Sequence, residues 1–293
     1  MFPTKLKSLF FEAYSHWGIG LVDEPISAFL KKKPKVKWIS PATKKSFLAD
    51  PFGVFYKKKL FIFAEHYIQD KKRGEIVCLQ GLKMHSALKI NVHASYPYLL
   101  QDGGRFFCIP ESNLANEAVL YEALDFPNKW KKKAVLIHGE RVVDPTLFRH
   151  KGLWWIFYTR GDDPHRKLYA RYSKNLEGPY KAHALMPLKN DIRSSRPAGT
   201  PFVHGGVLYR PAQDCEKSYG SRLVLNKIKM LSPKEFEEEL VQIIEPYLDS
   251  PYPDGIHTLS KVGEQTLVDG KRTLYRLRGP FEVLRILKKT LWH

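Results

Sequence analysis

Two Asp-Pro pairs, Asp50-Pro51 and Asp144-Pro145, open similar stretches of the chain, DPFGVFYKKKLFIFAE and DPTLFRHKGLWWIFYT. Tyr96-Pro97 opens a third, YPYLLQDGGRFFCIPE, and Arg196-Pro197 a fourth, RPAGTPFVHGGVLYRP. A weaker fifth, GIHTLSKVGEQTLVDG, offers Asp254 or His257 at the corresponding place. A lone Asp-Pro is a turn signal whose carboxylate accepts backbone hydrogen bonds. Two in register point instead to groups set out for binding or chemistry, because burying them costs several kcal/mol unless they are paired or wetted. Further polar groups close the stretches: Glu65 in FIFAEHY, Glu111 in CIPESN, and Arg210, Gln213 and Asp214 in YRPAQD. Glu65 could equally be a carboxylate emerging into solvent at a strand end. Pro110, Ser112 and Asn113 make an unusual polar loop that favours a functional Glu111. Arg193, Arg196, Arg210 and Arg222 fall within about thirty residues, with Tyr219 between them. The planar guanidinium fork matches phosphate or carboxylate oxygens. Acids in the first half and arginines in the second suit a sugar ligand bearing phosphate. The competing reading is internal pairing, with Arg196 and Arg210 neutralising Asp50, Asp144 and Asp214.

These residues need a scaffold that brings equivalent positions together. The first four stretches begin 46, 48 and 52 residues apart, and each holds two apolar, aromatic-rich segments around a tight turn. The turns Asp102-Gly103-Gly104, His150-Lys151-Gly152 and His204-Gly205-Gly206 carry residues that tolerate positive φ. A period near 50 residues with further strands in each unit (EIVCLQGL, AVLYEAL, KLYARYS, SRLVLNKIKML) predicts an all-β, five-bladed β-propeller. A sandwich of irregular hairpins is the alternative. The inner strand of each blade would then line one channel and deliver the polar groups to one end of it. Residues 1–33 are expected to be an extension with short helices at 5–13 and 25–32, residues 34–278 the propeller, and residues 279–293 a basic amphipathic helix. VKWIS is a candidate closing strand.

The 293 residues are 43% hydrophobic and 27% charged, which excludes wholesale disorder. The net charge of +18 favours an acidic partner: a phosphorylated ligand, an anionic lipid surface or nucleic acid. No reader motif for nucleic acid occurs, so none is expected as a partner. Lys31, Lys32, Lys33, the Lys57 to Lys59 tip and Lys131 to Lys133 would add attraction to an anionic membrane. Three widely spaced cysteines give neither a disulfide framework nor a zinc site, so a reducing compartment is expected. The first residues lack a continuous apolar leader, and no run of about 20 apolar residues occurs. The expected location is therefore the cytoplasm, including the inner face of the membrane. Phosphate-loop, dinucleotide, GxSxG and HExxH motifs are missing. No cofactor or resident metal is expected, although carboxylates near phosphate are compatible with a divalent ion.

The segments ADPFGVFY, SYPYLL, IPESN, VDPTLFRH, RPAG, YRPAQDC and DGIHTLS together resemble the N-terminal domain of plant glucosamine inositolphosphorylceramide transferase and its bacterial relatives, over roughly residues 17–269. The resemblance implies surface-glycan or glycolipid assembly. More distantly, the layout resembles five-bladed glycoside hydrolases of the arabinanase and β-xylosidase type. That likeness implies Asp50 as general base and Asp144 as the residue that tunes and orients it. It fails at the general acid, because the fourth repeat opens with Arg196 rather than Glu, and Glu177 in LEGPY falls at an outer turn. Loss of a proton donor and gain of a phosphate clamp favours transfer from a phosphate-activated sugar. The expected catalytic set is Asp50, Asp144 and Glu111. The expected substrate contacts are Glu65, Tyr96, Tyr98, Arg196, Arg210, Gln213, Asp214, Tyr219, Arg222, Asp254 and His257. The alternatives are a glycoside hydrolase with Glu65 or Glu111 as the acid, and a non-catalytic glycan-binding module.

Overall fold

Each hairpin turn closes where the sequence places residues able to adopt positive φ. Gly103 and Gly104 have φ of 55° and 76°, Lys151 and Gly152 of 48° and 80°, and Gly205 and Gly206 of 57° and 76°. In the computed structural model, which describes residues 9–39, 43, 45–280 and 283, these hairpins build five antiparallel sheets around one axis. The first blade comprises Ser46–Tyr56, Lys59–Ile68, Arg73–Gln80 and Lys83–Leu88. The second comprises Ser95–Asp102, Arg105–Glu111, Glu117–Asp125 and Lys129–His138. In the third, Val142–His150, Leu153–Arg160 and Lys167–Ser173 are followed by the short edge strands Lys181–Ala182 and Lys189–Asn190. The fourth contains Phe202–His204, Val207–Asp214, Arg222–Leu231 and Phe236–Ile244. The chain is an all-β, five-bladed propeller, as its periodicity predicts.

The fifth blade corrects one expectation. Its inner strands Leu259–Val262 and Gln265–Leu277 are completed from the other end of the chain, by Phe11–Val22 and Lys37–Trp38. Phe11 lies opposite Leu277, and the register continues to Val22 opposite Thr266. Residues 11–22 are therefore a blade strand, not part of a helical extension. Aromatic residues at Phe10, Tyr14 and Trp17 mimic helical spacing, and pairing with a distant strand overrides that local pattern. Residues 26–30 do form a short 3-10 helix, with Ile26 and Phe29 buried against the fourth and fifth blades. Lys37–Trp38, within the VKWIS expected as a closing strand, instead forms the outer edge of this blade, and Phe11–Val22 closes the ring. The expected C-terminal helix and residues 1–8 lie almost wholly outside the described residues.

The aromatic strands explain the packing. Phe52, Tyr98, Phe107, Trp154, Ile156 and Tyr158 fill the space between the first three blades. Phe148, Trp155 and Phe157 meet Leu208 and Ile228 between the third and fourth. Fully burying each large side chain contributes about 1.5–3 kcal/mol, so the inter-blade wedges hold the ring closed. At the axis, inner strands approach closely: the Thr200 N–H donates to the Leu259 carbonyl at 3.0 Å. A Cβ on Gly199, whose φ is 118°, would sit 2.0 Å from that carbonyl oxygen, so only glycine permits the contact.

Candidate active site

The X-Pro pairs act first on the backbone. Proline offers no N–H to a ladder, and the register slips at 49/52, 95/98 and 143/146, the positions that enclose each pair. Asp50, Tyr96 and Asp144 all adopt positive φ, at 51°, 43° and 48°. A residue before proline normally stays extended, and each such outlier costs on the order of 1–3 kcal/mol. The same strain at the same place in three blades sets three side chains at one end of the axis.

The neighbouring strand of each blade supplies a second buried slot. Glu65 lies opposite Ala49, Glu111 opposite Ser95 and Thr159 opposite Val143. In the fourth blade the Gln213 N–H donates to the Arg196 carbonyl, and in the fifth Asp269 follows the Val268–Leu259 pair. Two of these slots, Asp269 and Glu111, together with Asp50 itself, satisfy the amides of the three bulged residues. Asp269 Oδ2 accepts the Asp50 N–H at 3.2 Å, Asp50 Oδ2 accepts the Tyr96 N–H at 3.2 Å, and Glu111 Oε2 accepts the Asp144 N–H at 3.1 Å. Asp144 Oδ2 then accepts Arg196 Nε at 2.6 Å and Gln213 Nε2 at 3.0 Å. The chain of bonds passes from blade five through one, two and three to four.

Burial and crowding set the charges. Burial, then the neighbouring acids, lifts the Asp50 carboxyl to about 6 against the pull of His257. Burial beside Asp144 lifts Glu111 to about 8. Glu65 is pushed well above the usual carboxylate range by burial and by the negative field of Asp50, Glu111 and Asp144. Burial alone would depress His257, but the carboxylates of Asp269 and Asp50 outweigh it and raise the imidazole. His257 Nδ1 lies 2.6 Å from Asp269 Oδ2 and 3.7 Å from Asp50 Oδ1, with its ring stacked 3.7 Å from Trp17. Asp50, His257 and Asp269 are also the one trio, among the described residues, whose ligand atoms converge within 4.8 Å. Asp269 already accepts the N–H groups of Asp50, His257 and Thr258 besides the imidazole. This donor set fits an ion-paired network better than a metal shell.

Tyr219 is 38% exposed, with its ring 4.8 Å from the Arg196 guanidinium and 5.3 Å from His257. Lys271 Nζ holds the Tyr219 carbonyl at 2.6 Å. Tyr96 is fully buried and ties neighbouring blades together: its hydroxyl accepts the Gly199 N–H at 2.6 Å and meets Thr146 Oγ1 at 2.9 Å.

Several expected contacts lie elsewhere. Arg210 is buried against Glu238, at 2.6 and 3.0 Å, and donates to the Ser194 carbonyl. Arg222 is held by Asp214 at 2.8 Å and Glu245 at 2.9 Å, so Asp214 and Arg222 brace a loop. Asp254 is exposed and accepts the Thr273 N–H. Tyr98 packs in the core beside Phe52. The internal-pairing reading thus holds for Arg196, which Asp144 holds, whereas Arg210 pairs with Glu238, an acid that reading did not name, and Asp214 pairs with Arg222. Asp269, Thr258 and Trp17 were not anticipated. Asp269 was discoverable by aligning FIFAE, FCIPE and TLVD as second strands. Trp17 was hidden because its strand belongs to a blade at the opposite end of the chain.

Fold and site together define a five-bladed propeller with a buried cluster of ionisable side chains where its inner strands meet. The chain belongs to the family described as Glucosamine inositolphosphorylceramide transferase 1, N-terminal, which it matches over residues 35–247. The match includes Asp50, Glu111, Asp144 and Arg196 but stops before His257 and Asp269. It is 33% identical over 211 residues to glucosamine inositolphosphorylceramide transferase 1 of Oryza sativa subsp. indica, covering 68% of this chain and 28% of that protein. The Arabidopsis thaliana protein of the same name is 32% identical over 206 residues, covering 66% and 27%. The chain thus spans little more than a quarter of the length of these relatives. Among solved structures, the catalytic domain of a Coprinopsis cinerea GH62 alpha-L-arabinofuranosidase aligns at TM-score 0.57 and 10% identity, covering 89% of this chain and 98% of that one. A family 117 glycoside hydrolase from Zobellia galactanivorans aligns at TM-score 0.52 and 12% identity, covering 76% and 84%. At such identities these likenesses speak for the fold.

Proposed function

We propose that the chain is a glycosyltransferase-like enzyme of surface polysaccharide or glycolipid biosynthesis, moving a sugar from a phosphate-activated donor within an axial pit. One arrangement carries the reading: Asp50, Glu65, Glu111 and Asp144, from three blades, are buried close enough to act on one another, and burial with this crowding raises Asp50 to about 6 and Glu111 to about 8. Titratable groups separated in this way mark a base and an acid. Asp50 takes the proton of the acceptor hydroxyl, Asp144 positions the site through Arg196 and Gln213, and Glu111 donates to the departing oxygen or holds a sugar hydroxyl. The family takes its name from a transferase, of which this chain matches the N-terminal part and spans 28% of the length. A second reading, hydrolysis of a neutral glycoside, draws on the internally paired arginines: Arg196 is the one cation of the expected clamp at the pit, and Asp144 holds it.

One assay separates the two readings. Turnover is measured from acid to alkaline pH with nucleotide sugars, sugar phosphates and aryl glycosides. A bell-shaped profile is expected, falling below about pH 6 as Asp50 gains a proton and above about pH 8 as Glu111 loses one. Product from phosphorylated donors alone supports transfer, and free sugar from aryl glycosides supports hydrolysis. A profile flat across this range removes the acid-base pair.

Membrane contact and an inner-face location belong to the same proposal. Lys57, Lys58 and Lys59 form the hairpin tip at the end of the Ser46–Tyr56 strand remote from Asp50, so lipid bound there leaves the pit open. Each basic residue near an anionic surface contributes about 1 kcal/mol. Replacing all three with Gln is expected to weaken sedimentation with phosphatidylserine vesicles by roughly tenfold or more. Equal sedimentation of both proteins would argue against this tip.

A further inference from the structure

A groove of about 500 Å³ runs between the Phe11–Val22 strand and the first blade. Phe47 and Tyr67 form its apolar strip, their rings stacked 4.9 Å apart with planes 15° from parallel. Strand alternation places Tyr67 on the same face as Glu65, two residues and about 7 Å further along. Their register partners, Phe47 and Ala49, keep the same spacing on the inner strand. The groove therefore ends about 7 Å from Glu65 along the strand, roughly the length of one sugar ring.

The remaining lining suits hydroxyl groups. Tyr14 contributes a phenol and Gln69 an amide, and Arg276 Nε donates to Glu12 Oε2 at 2.6 Å. A guanidinium beside a carboxylate presents donors and acceptors to neighbouring hydroxyls. Gln69 Nε2 is buried and has no hydrogen-bond partner among the described residues. Such an orphan calls for a ligand or an ordered water. An apolar strip flanked by a few convergent polar groups is the build of a small-molecule cleft. Nothing in the acid-base chemistry of the pit uses these residues.

We propose that this groove is a second carbohydrate subsite, holding the neutral sugar next to the one bound in the pit, so that the protein selects oligosaccharides over monosaccharides. The inference rests on the pit being a carbohydrate site. Its test measures binding to immobilised neutral mono-, di- and tetrasaccharides of glucose, galactose, mannose and N-acetylglucosamine. The native protein is compared with Tyr67→Ala and Gln69→Leu, each checked for folding by thermal melting. On at least one sugar series the native protein is expected to bind the tetrasaccharide roughly tenfold more tightly than the monosaccharide. Either variant should lose that preference and keep the monosaccharide affinity. Equal affinity for all lengths in the native protein, or a length preference that survives in both variants, overturns the groove alone. Binding of no glycan by the native protein overturns the pit reading, and the groove with it.

Discussion

Replacing Asp50 with asparagine is expected to lower turnover by roughly 10²–10⁴-fold, the usual contribution of a positioned general base, while the melting temperature barely moves. The geometry explains why fold and activity should part here. Asp50 Oδ1 accepts the Thr258 hydroxyl at 2.9 Å, and Oδ2 accepts the Tyr96 N–H at 3.2 Å. Asparagine keeps one oxygen for the amide and offers its Nδ2 to the hydroxyl, which accepts as readily as it donates. His257 retains Asp269 as its closer partner. The loss is the negative oxygen that receives a proton. Turnover and thermal melting of the same preparation check the result. A melting temperature that falls in step with activity would make Asp50 a structural residue. A native protein that binds glycans but turns over no donor, with binding intact in the Asn variant, would leave the glycan-binding module as the better description.

The second large effect falls on stability. Arg210→Met is expected to destabilise the protein by about 3–5 kcal/mol, because it breaks a buried ion pair and strands Glu238. That corresponds to a melting temperature lower by on the order of 10 °C. Glu238 is buried, yet Arg210 and then Lys189 outweigh the burial and hold its carboxyl below the usual range. With Arg210 gone, Lys189, 2.8 Å away, is the cation left to it. The double variant Arg210→Met, Glu238→Leu should recover much of the loss, since an apolar pair can replace a buried ionic one. Calorimetry on the three proteins tests this, with binding of a nucleotide sugar as the control. A single variant that melts normally but loses the nucleotide sugar would restore Arg210 to the ligand.

These two residues show where reading the sequence worked and where it stopped. Asp50 and Arg210 both sit in the repeats, and their types alone suggest a ligand for each. Asp50 was legible because Asp-Pro recurs in register, and a proline-broken ladder has one local outcome, a bulge that re-aims the side chain. Arg210 was misread because its partner Glu238 lies on the outer strand of the blade, in a run of exposed acids, FEEELVQII, that carries no mark of burial. The Arg222–Asp214 brace was not foreseen, because the pairing read from the sequence set Arg196 and Arg210 against Asp214. Glu65 and Glu111 were visible as acids ending apolar strands. Their shared environment was not, because it depends on carboxyls contributed by four different blades.

Local patterning by itself determined the ring: turns with residues that tolerate positive φ, aromatic strands between them and a spacing near 50 residues suffice for repeated blades, since each hairpin is specified by neighbours in the chain. Tertiary structure alone decided how the ring closes and which charges remain for a ligand. The closing strand at residues 11–22 finds its partner near the other end of the chain. The Asp50 amide finds its acceptor, Asp269, 219 residues away. A buried charge is stabilised or strained by whatever lies within a few ångströms, and sequence separation carries no information about that distance.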